Sequence, residues 1–281
     1  MPIITTKPTT PARRQSTYLD NSALDKVRPE KSLTLPKNRI NGRNHAGQIV
    51  VYHRGGGAKR MYRIIDFVGT KRLGQVATVV SLQYDPNRTA NIALIQFEDK
   101  TKAYIIAPDG LKKEMTVVCD VSAPSRIGNR MQLRNIPVAT QIHSIELVAG
   151  KGSQLCRSAG SFATLRGLDS EEGRYALLRL PSGEVRKVIA DNYASIGIVS
   201  NIDHSKVVLG NAGRKRFMGF RPTVLGKSKN AVDHPHGGGE GHSPIGCKKG
   251  PKTPWGALAL GPRTRNKKKA GAVLILSRRK K

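Results

Sequence analysis

The positive charge of this chain lies almost entirely in its two ends. Thirteen Lys and Arg against three acids give residues 1–63 a net charge of +10, and nineteen against two give residues 206–281 a net charge of +17. Residues 64–205 carry only +3. Basic, Gly- and Pro-rich ends repel themselves too strongly to collapse alone and need a polyanion to neutralise them. The sequence therefore predicts a compact middle between two extensions that bind nucleic acid.

The composition favours short strands and turns over helices, since the 281 residues include 29 Gly and 16 Pro and only 5% are aromatic. No apolar run approaches the roughly 18–20 residues of a membrane span. Residues 1–7 lack the apolar core of a signal peptide. Cys119, Cys156 and Cys247 are far apart and odd in number, which indicates reduced thiols in a reducing compartment. We expect no membrane contact.

Strand patterns begin near residue 62 and predict a first small β-barrel. Over 75–84 apolar residues alternate with polar ones, which places Ser81 and Gln83 on the face opposite Val80 and Leu82. Further short strands are predicted at 64–68, 91–97 and 103–107, with turns at 85–88, 99–100 and 108–110. Four or five strands within about 60 residues suit an OB-type barrel, a fold that commonly binds nucleic acid.

A second group of short strands predicts another compact barrel. Its strands are expected at 142–148, 161–166, 175–180, 184–189 and 196–199. A basic loop over 150–157, with Lys151 and Arg157, leads into it. The chain is thus predicted to be mostly β, with four parts: a basic N-terminal extension at 1–60, an OB-type barrel at 61–125, a second barrel at 126–205 and a basic C-terminal extension at 206–281. Both extensions are expected to be long and irregular.

The segment from His53 to Arg60 has three consecutive glycines between basic residues. Gly55–Gly57 let backbone amides approach a phosphate that Arg54, Lys59 and Arg60 neutralise. It is not a Walker loop, because the GxxxxGK[ST] spacing is missing. A flexible basic loop is the simpler interpretation, and the two interpretations are compatible.

The segment from Val232 to His242 is rich in histidine and glycine and allows four interpretations. His234, His236, His242 and Cys247 could ligate a metal, but the intervening glycines do not preorganise a tetrahedron. His234 could act as a general base, yet no nucleophile or pocket is evident. An exposed loop is the third interpretation. We adopt the fourth, an RNA-embedded loop in which glycines allow close approach and imidazoles contact bases or phosphates.

Basic residues alternate with aromatic ones over 213–222, which offers phosphate contacts beside the stacking surfaces of Phe217 and Phe220. Alternatively, these two rings anchor the extension to the second barrel. Further along, Trp255 is followed by two basic blocks, at 263–269 and 278–281, and no acid occurs after Glu240. The predicted RNA-binding residues are Arg54, Gly55, Gly56, Gly57, Lys59, Arg60, Arg88, Lys151, Arg157, Arg214, Lys215, Arg216, Arg221, His234, His236, Gly237, Gly238, Gly239, Trp255, Arg263, Arg265, Lys267, Lys268, Lys269, Arg278 and Arg279.

Several strings resemble, in order, those of large-subunit ribosomal protein number two, bacterial and plastid type. They are HRGGGAKR, YDPNRTANIAL, RNIPV, GKGSQLCRSAG, LPSGEVRKV, LGNAGRKR, RPTV, VDHPHGGGEG and TPWG. The resemblance spans roughly residues 7–281, and VDHPHGGGEG followed by TPWG is its most specific part. Positions that depart from the family pattern include Cys156, Phe217, Lys229, Ala231 and His242. These departures affect the RNA contacts expected of the individual residues, and they leave the resemblance to the family unchanged.

The resemblance implies an OB-type barrel followed by an SH3-like barrel, with extensions threaded through large-subunit rRNA near the peptidyl-transferase centre. It also implies support of subunit joining, tRNA placement and peptide-bond formation. Implied partners are rRNA, neighbouring ribosomal proteins and the small subunit across a bridge; no cofactor is implied beyond Mg²⁺ associated with rRNA. His234 is expected to be structural, because the chemistry belongs to RNA. Residues 30–34 and 243–246 resemble the cyanobacterial and plastid branch of the family, and the departures from the family pattern favour the plastid stroma over the bacterial cytoplasm.

Two other functions compete with a structural ribosomal role. A free OB-type RNA-binding module would need exposed aromatic residues on its barrel, and the nearly neutral middle argues against it. A metal- or His-dependent enzyme acting on nucleic acid would need clustered carboxylates, and Asp233 and Glu240 are the only acids after Asp203. We therefore expect no enzyme.

Overall fold

The computed structural model describes residues 3–169, 173–239, 245, 250–261, 264–266 and 268–278. It divides into two compact units, each considered by itself. Unit 1 comprises the described parts of 1–38, 59–214 and 270–281, and unit 2 those of 39–58 and 215–269. The prediction of a mostly β chain with an OB-type barrel followed by an SH3-like barrel is confirmed.

In the part of the chain that the structure describes, nearly all regular structure is short antiparallel strand. The strands are β1 (Ile3–Thr5), β2 (Thr17–Leu19), β3 (Thr34–Lys37), β4 (Arg60–Arg63), β5 (Val76–Gln83), β6 (Ile92–Phe97), β7 (Lys102–Ile106), β8 (Thr116–Val118), β9 (Arg130–Gln132), β10 (Gln141–His143), β11 (Ile145–Glu146), β12 (Ser153–Leu155), β13 (Ala163–Leu168), β14 (Tyr175–Arg179), β15 (Val185–Ile189), β16 (Tyr193–Ile196) and β17 (Ile275–Ser277). The helices are α1 (Ala212–Phe217) and α2 (Ala270–Val273), with 3-10 turns at Lys31–Leu33, Thr70–Arg72, Leu133–Asn135, Ile202–Lys206 and Gly226–Ser228.

The first barrel of unit 1 is built on a four-stranded antiparallel sheet in the order β7-β6-β5-β8. Its β-branched residues suit a pleated surface that is buried on one side. The strands predicted at 75–84, 91–97 and 103–107 are confirmed within one or two residues. The predicted tight turn after β6 is also present, since the Phe97 N–H donates to Thr101 O at 3.0 Å and Lys100 takes a φ of 62°.

In β5 the polar residues that the alternation placed opposite Val80 and Leu82 are buried. Ala77, Ser81 and Gln83 are buried, whereas Val76 is exposed. Gln83 is accommodated because its Nε2 donates to Ser81 Oγ at 2.9 Å, while its Oε1 accepts from the Tyr104 hydroxyl at 3.0 Å. Buried polar groups with such partners no longer bear the full cost of leaving water. Apolar alternation separated the two faces of the strand but did not indicate that the polar side chains would be buried.

The second barrel of unit 1 contains a seven-stranded sheet in the order β17-β15-β14-β13-β10-β16-β9. The run predicted as one strand at 142–148 is split into β10 and β11 at Ser144, which takes a φ of 50°. The strand predicted at 196–199 is wrong in position: β16 ends at Ile196, and Val199 instead packs into the first barrel's core. The core of the second barrel includes Met131, Leu133, Ile142, Ile145, Ala163, Leu165, Ala176, Leu178, Val188 and Ala194.

The N-terminal extension is more ordered than predicted, because β1 pairs with β2 and β3 pairs with β4. Asp25 fixes the intervening chain to β5: its Oδ2 accepts from the Leu82 N–H at 2.9 Å, and its own N–H donates to Leu82 O at 2.8 Å. The Glu30 N–H donates to the Tyr104 hydroxyl at 3.0 Å. Strands of three or four residues that pair with distant segments leave no periodic signal, so the sequence could not indicate them.

The C-terminal extension also returns to unit 1, where β17 pairs with β15 and the Lys187 N–H donates to Leu274 O at 2.7 Å. Between residues 218 and 261 of unit 2 the described chain is mostly turns and loops. Among the described residues, no helix is long and apolar enough to cross a membrane.

Candidate nucleic-acid interface

In unit 2 the glycine-rich segment 53–58 lies against residues 217–222. The Gly55 N–H donates to Gly219 O at 3.1 Å, and the Ala58 N–H donates to Phe217 O at 3.0 Å. In the other direction, the Arg221 N–H donates to His53 O at 3.0 Å. Two basic motifs that are about 160 residues apart in the chain thus form one backbone-paired surface.

Glycine is required at the centre of this contact. Gly57 has a φ of +90°, and a Cβ placed there would lie 3.1 Å from both Cα and N of Gly219. Gly56 also has a positive φ, of +67°, but a Cβ at that position would have no heavy atom within 4 Å. The second glycine therefore supplies conformational freedom, and the third also supplies close approach.

Basic side chains surround the paired segments. The Arg54 guanidinium lies 4.2 Å from the centre of the Phe220 ring, which is a cation–π contact. Arg216 Nη1 donates to Phe220 O at 3.2 Å, while Lys215 is exposed. Phe217 is 69% exposed and remains available as a stacking surface. Phe220 is thus an anchor within this surface, so the two rings have different roles.

In unit 1 the turn after β5 gathers basic residues around one buried carboxylate. Asp85 is fully buried and accepts from Arg88 Nε at 2.6 Å and from Arg63 Nη1 at 3.3 Å. Arg60 Nη1 donates to Pro86 O at 2.8 Å. Asp85 thereby neutralises part of the local charge and fixes the direction of two guanidinium groups.

Phe67 lies beneath two arginines from separate loops of unit 1. The Arg157 guanidinium is 5.0 Å from its ring centre and that of Arg88 is 5.8 Å away. Arg157 is exposed, as is Lys151 earlier in the same loop. Guanidinium groups oriented by an aromatic ring and a carboxylate are well suited to bind phosphates or stack on bases.

The histidine-rich loop in unit 2 is held by its own backbone. The His236 N–H donates to His234 Nδ1 at 3.0 Å, and the Lys252 N–H donates to His236 Nε2 at 2.7 Å. Partial desolvation, with smaller effects from His236 and Lys229, lowers the pKa of His234. A Cβ at Gly237 would lie 2.1 Å from Asn230 O, so this position also requires glycine.

The remaining predicted residues differ in their surroundings. Trp255 is 74% exposed and its ring centre lies 6.2 Å from that of Tyr52. Arg214 Nη1 donates to the carbonyls of Thr17, Val208 and Leu209, so this side chain ties β2 to the later chain of unit 1. Exposed on the described surface are Lys59, Gly239, Arg265, Lys268, Lys269 and Arg278. Arg263, Lys267 and Arg279 lie outside the described residues.

The described residues contain no group of three or more His, Cys, Asp or Glu side chains that could hold a metal ion. Two of the four ligands considered from the sequence, His242 and Cys247, lie outside them. Burial raises the pKa of the Cys119 and Cys156 thiols to about 11, which keeps them protonated at neutral pH. Protonated thiols are neither good nucleophiles nor metal ligands.

Asp85, Arg63 and Phe67 were missed as contributors to this interface. An acidic residue and a half-buried aromatic ring give no basic signal, so charge counting passes over them. The Asp-Pro-Asn-Arg turn was itself recognisable, but only the structure shows that its carboxylate orients two arginines.

Two small barrels of short antiparallel strands, accompanied by basic loops, are typical of RNA-binding proteins. Two family models match the chain: Ribosomal Proteins L2, RNA binding N-terminal domain, over residues 30–119, and Ribosomal Proteins L2, C-terminal domain, over residues 126–256. The chain therefore belongs to the ribosomal protein L2 family. This membership gives it a structural, RNA-binding role in the large ribosomal subunit.

Proposed function

We propose that this chain binds large-subunit rRNA near the peptidyl-transferase centre and supports subunit association, tRNA placement and peptide-bond formation without taking part in the chemistry. The pairing of residues 53–58 with 217–222 carries the proposal, because it joins two basic motifs into one surface that carries Arg54, Lys215 and Arg216. Such surfaces recognise the shape and phosphates of folded RNA.

The geometry of the histidine loop favours a structural role over a catalytic one. His234 Nδ1 already accepts a backbone hydrogen bond, and the described residues place no carboxylate in hydrogen-bond contact with its ring. A general base needs a free acceptor nitrogen within reach of the proton that it removes. We therefore propose that the chain is not an enzyme.

The test is His234→Ala, followed by single-turnover peptidyl transfer on fully assembled subunits. We expect slower subunit assembly or joining, because hydrogen bonds or stacking worth about 1–3 kcal/mol are lost. Matured subunits should form peptide bonds at near-normal rates. A general base would instead cost about 10²–10⁴-fold in the chemical step, so a hundredfold defect with normal assembly and tRNA binding would contradict the structural role.

We further propose that neighbouring ribosomal proteins and the small subunit, across a bridge, are partners, and that the ribosome concerned is that of a plastid in preference to a bacterium. The residues at 30–34 and 243–246 support the cyanobacterial and plastid branch, and the departures from the family pattern favour the plastid within that branch. Immunolocalisation in plastid-containing cells would decide it.

No cofactor is proposed beyond Mg²⁺ associated with rRNA. Dialysis against a chelator that spares Mg²⁺ should release no stoichiometric zinc. One tightly held zinc per chain, lost in His236→Ala, would instead support a metal site.

A further inference from the structure

Two backbone N–H groups determine which imidazole nitrogens carry protons in the histidine loop. A main-chain N–H can only donate, so the ring nitrogen that it meets must be an unprotonated acceptor. The Lys252 N–H meets His236 Nε2 at 2.7 Å, and the His236 N–H meets His234 Nδ1 at 3.0 Å. In the neutral rings, the proton therefore lies on Nδ1 of His236 and on Nε2 of His234.

Packing fixes the plane of the His234 ring as well as its tautomer. The ring lies directly on Gly226, where a Cβ would be 2.4 Å from His234 Cε1 and 2.7 Å from Nε2. The His236 ring is 5.2 Å away between centres, tilted by 34°. The Gly237 N–H donates to His234 O at 2.8 Å, which holds the backbone of the same residue. The side chain is thus preorganised in position and protonation.

We propose that His234 acts as a hydrogen-bond donor, through Nε2–H, to an acceptor atom of rRNA, and that His236, through its main-chain N–H, is the positioning residue that imposes this role. The inference rests on the proposed rRNA-binding function and specifies the chemistry of one contact. The acceptor is a phosphate oxygen or a base nitrogen or oxygen. No hydrogen bond from His234 Nε2 to another described residue is present, which leaves this proton for the RNA.

The first experiment tests the tautomer in the free full-length chain. Long-range ¹H–¹⁵N correlation spectra of ¹⁵N-histidine-labelled protein at neutral pH report which ring nitrogen is protonated, and single His→Gln variants assign the signals. We expect a protonated Nε2 for His234 and a protonated Nδ1 for His236. The opposite tautomer at His234 would overturn the proposal whether or not the chain binds RNA.

The second experiment blocks the donor without removing the ring. His234 is replaced by its Nε2-methylated analogue, which keeps the Nδ1 acceptor but has no N–H, and binding to protein-free large-subunit rRNA is measured. We expect about tenfold weaker binding, which lies where the effects of losing a hydrogen bond to a neutral and to a charged acceptor meet. Slow amide exchange at His236 and Lys252 confirms that the loop is intact. Unchanged affinity with an intact loop would overturn the proposal.

A control replaces His234 by the Nδ1-methylated isomer, which has the same volume but cannot accept the His236 N–H. This isomer should instead speed exchange at the His236 amide. Interference mapping with phosphorothioate and 7-deazapurine RNA then distinguishes a phosphate from a base acceptor. Interference by either modification supports hydrogen-bond donation by His234. The absence of interference by both modifications would overturn the proposal. If the unmodified chain fails to bind rRNA, the proposed function itself fails, while the tautomer measurement still judges the inference separately.

Discussion

Two buried ionisable side chains, His143 and Asp85, affect the stability of unit 1, and Asp85 also orients two of its arginines. His143 is 1% exposed, and its Nδ1 lies 3.0 Å from Gly197 O, which makes it a neutral donor. Burial, opposed by this hydrogen bond, lowers the pKa of His143 to about 4. Asp85 carries the opposite charge among arginines and is fully buried.

We expect His143 to make folding sensitive to acid. Its pKa is about 4 in the folded chain against an ordinary 6.5, so the unfolded chain binds the proton first as pH falls. Stability from this group is complete above about pH 6.5 and is lost as pH falls toward 4, by about 3 kcal/mol at about 1.4 kcal/mol per pH unit. His143→Asn keeps a donor for Gly197 O and should remove this component, as denaturant unfolding followed by circular dichroism at several pH values would show. If the free energy of unfolding depended on pH in the same way in the unmodified chain and in His143→Asn, His143 would not be the source of the acid sensitivity.

Asp85→Asn should destabilise unit 1 by about 2 kcal/mol or more, because Arg63 and Arg88 lose their shared counter-ion while remaining largely buried. Their side chains are 12% and 16% exposed. Equilibrium unfolding measures the effect. The matched control is Asp99→Asn, an exposed carboxylate paired with Arg72, where little change is expected because solvent screens the pair. Equal effects of both substitutions would contradict this role for Asp85.

At the scale of elements, glycine-rich segments function here as pairing partners and not only as flexible loops. The hydrogen bonds of Gly55 and Ala58 to residues 217–219 give segment 53–58 a defined position in unit 2. The interface therefore depends on backbone approach that only glycine allows at position 57.

Gly57→Ala is expected to separate segment 53–58 from residues 217–222. The added Cβ would press on Gly219, and the alanine would also have to adopt the costly positive φ of this position. Gly56→Ala is the matched control: it bears a similar backbone cost of about 1–2 kcal/mol but meets no neighbour. Amide exchange at Ala58 should accelerate far more in the first variant, with a larger loss of rRNA affinity. Indistinguishable exchange and affinity would mean that close approach is not what this glycine provides.

At the scale of the whole chain, the charge of the extensions should determine how rRNA binding depends on salt. Changing exposed Lys215, Lys268 and Lys269 to Gln should reduce the slope of log K against log salt by up to about 2–3, at roughly 0.7–0.9 per phosphate contact. The control changes three exposed lysines of the first barrel, Lys100, Lys112 and Lys113, and should leave the slope nearly unchanged. Equal slopes for the two variants would show that the extensions are not the electrostatic anchor.

The periodic strands and the charge layout were readable from the chain alone. β5, β6, β7, β14 and β15 were predicted because apolar residues that alternate with polar ones, or that follow one another, over about five positions indicate a strand. The basic and glycine-rich motifs also indicated nucleic-acid binding, since a positive charge that the chain's own acidic residues do not balance requires a polyanion. These properties depend on residue type and local spacing.

Pairing between distant segments and the burial of polar groups needed the folded structure. The burial of Gln83 in β5 was not indicated by the sequence, because its partner Tyr104 comes from another strand. The joining of 53–58 to 217–222 rests on main-chain hydrogen bonds, which carry no side-chain signature. The tautomer of His234 follows from the His236 N–H, and that of His236 from the N–H of Lys252, sixteen positions further along the chain. A sequence states which groups are present, but hydrogen-bond partners are set by three-dimensional proximity, and that proximity decides which polar groups can be buried and which protons are displayed.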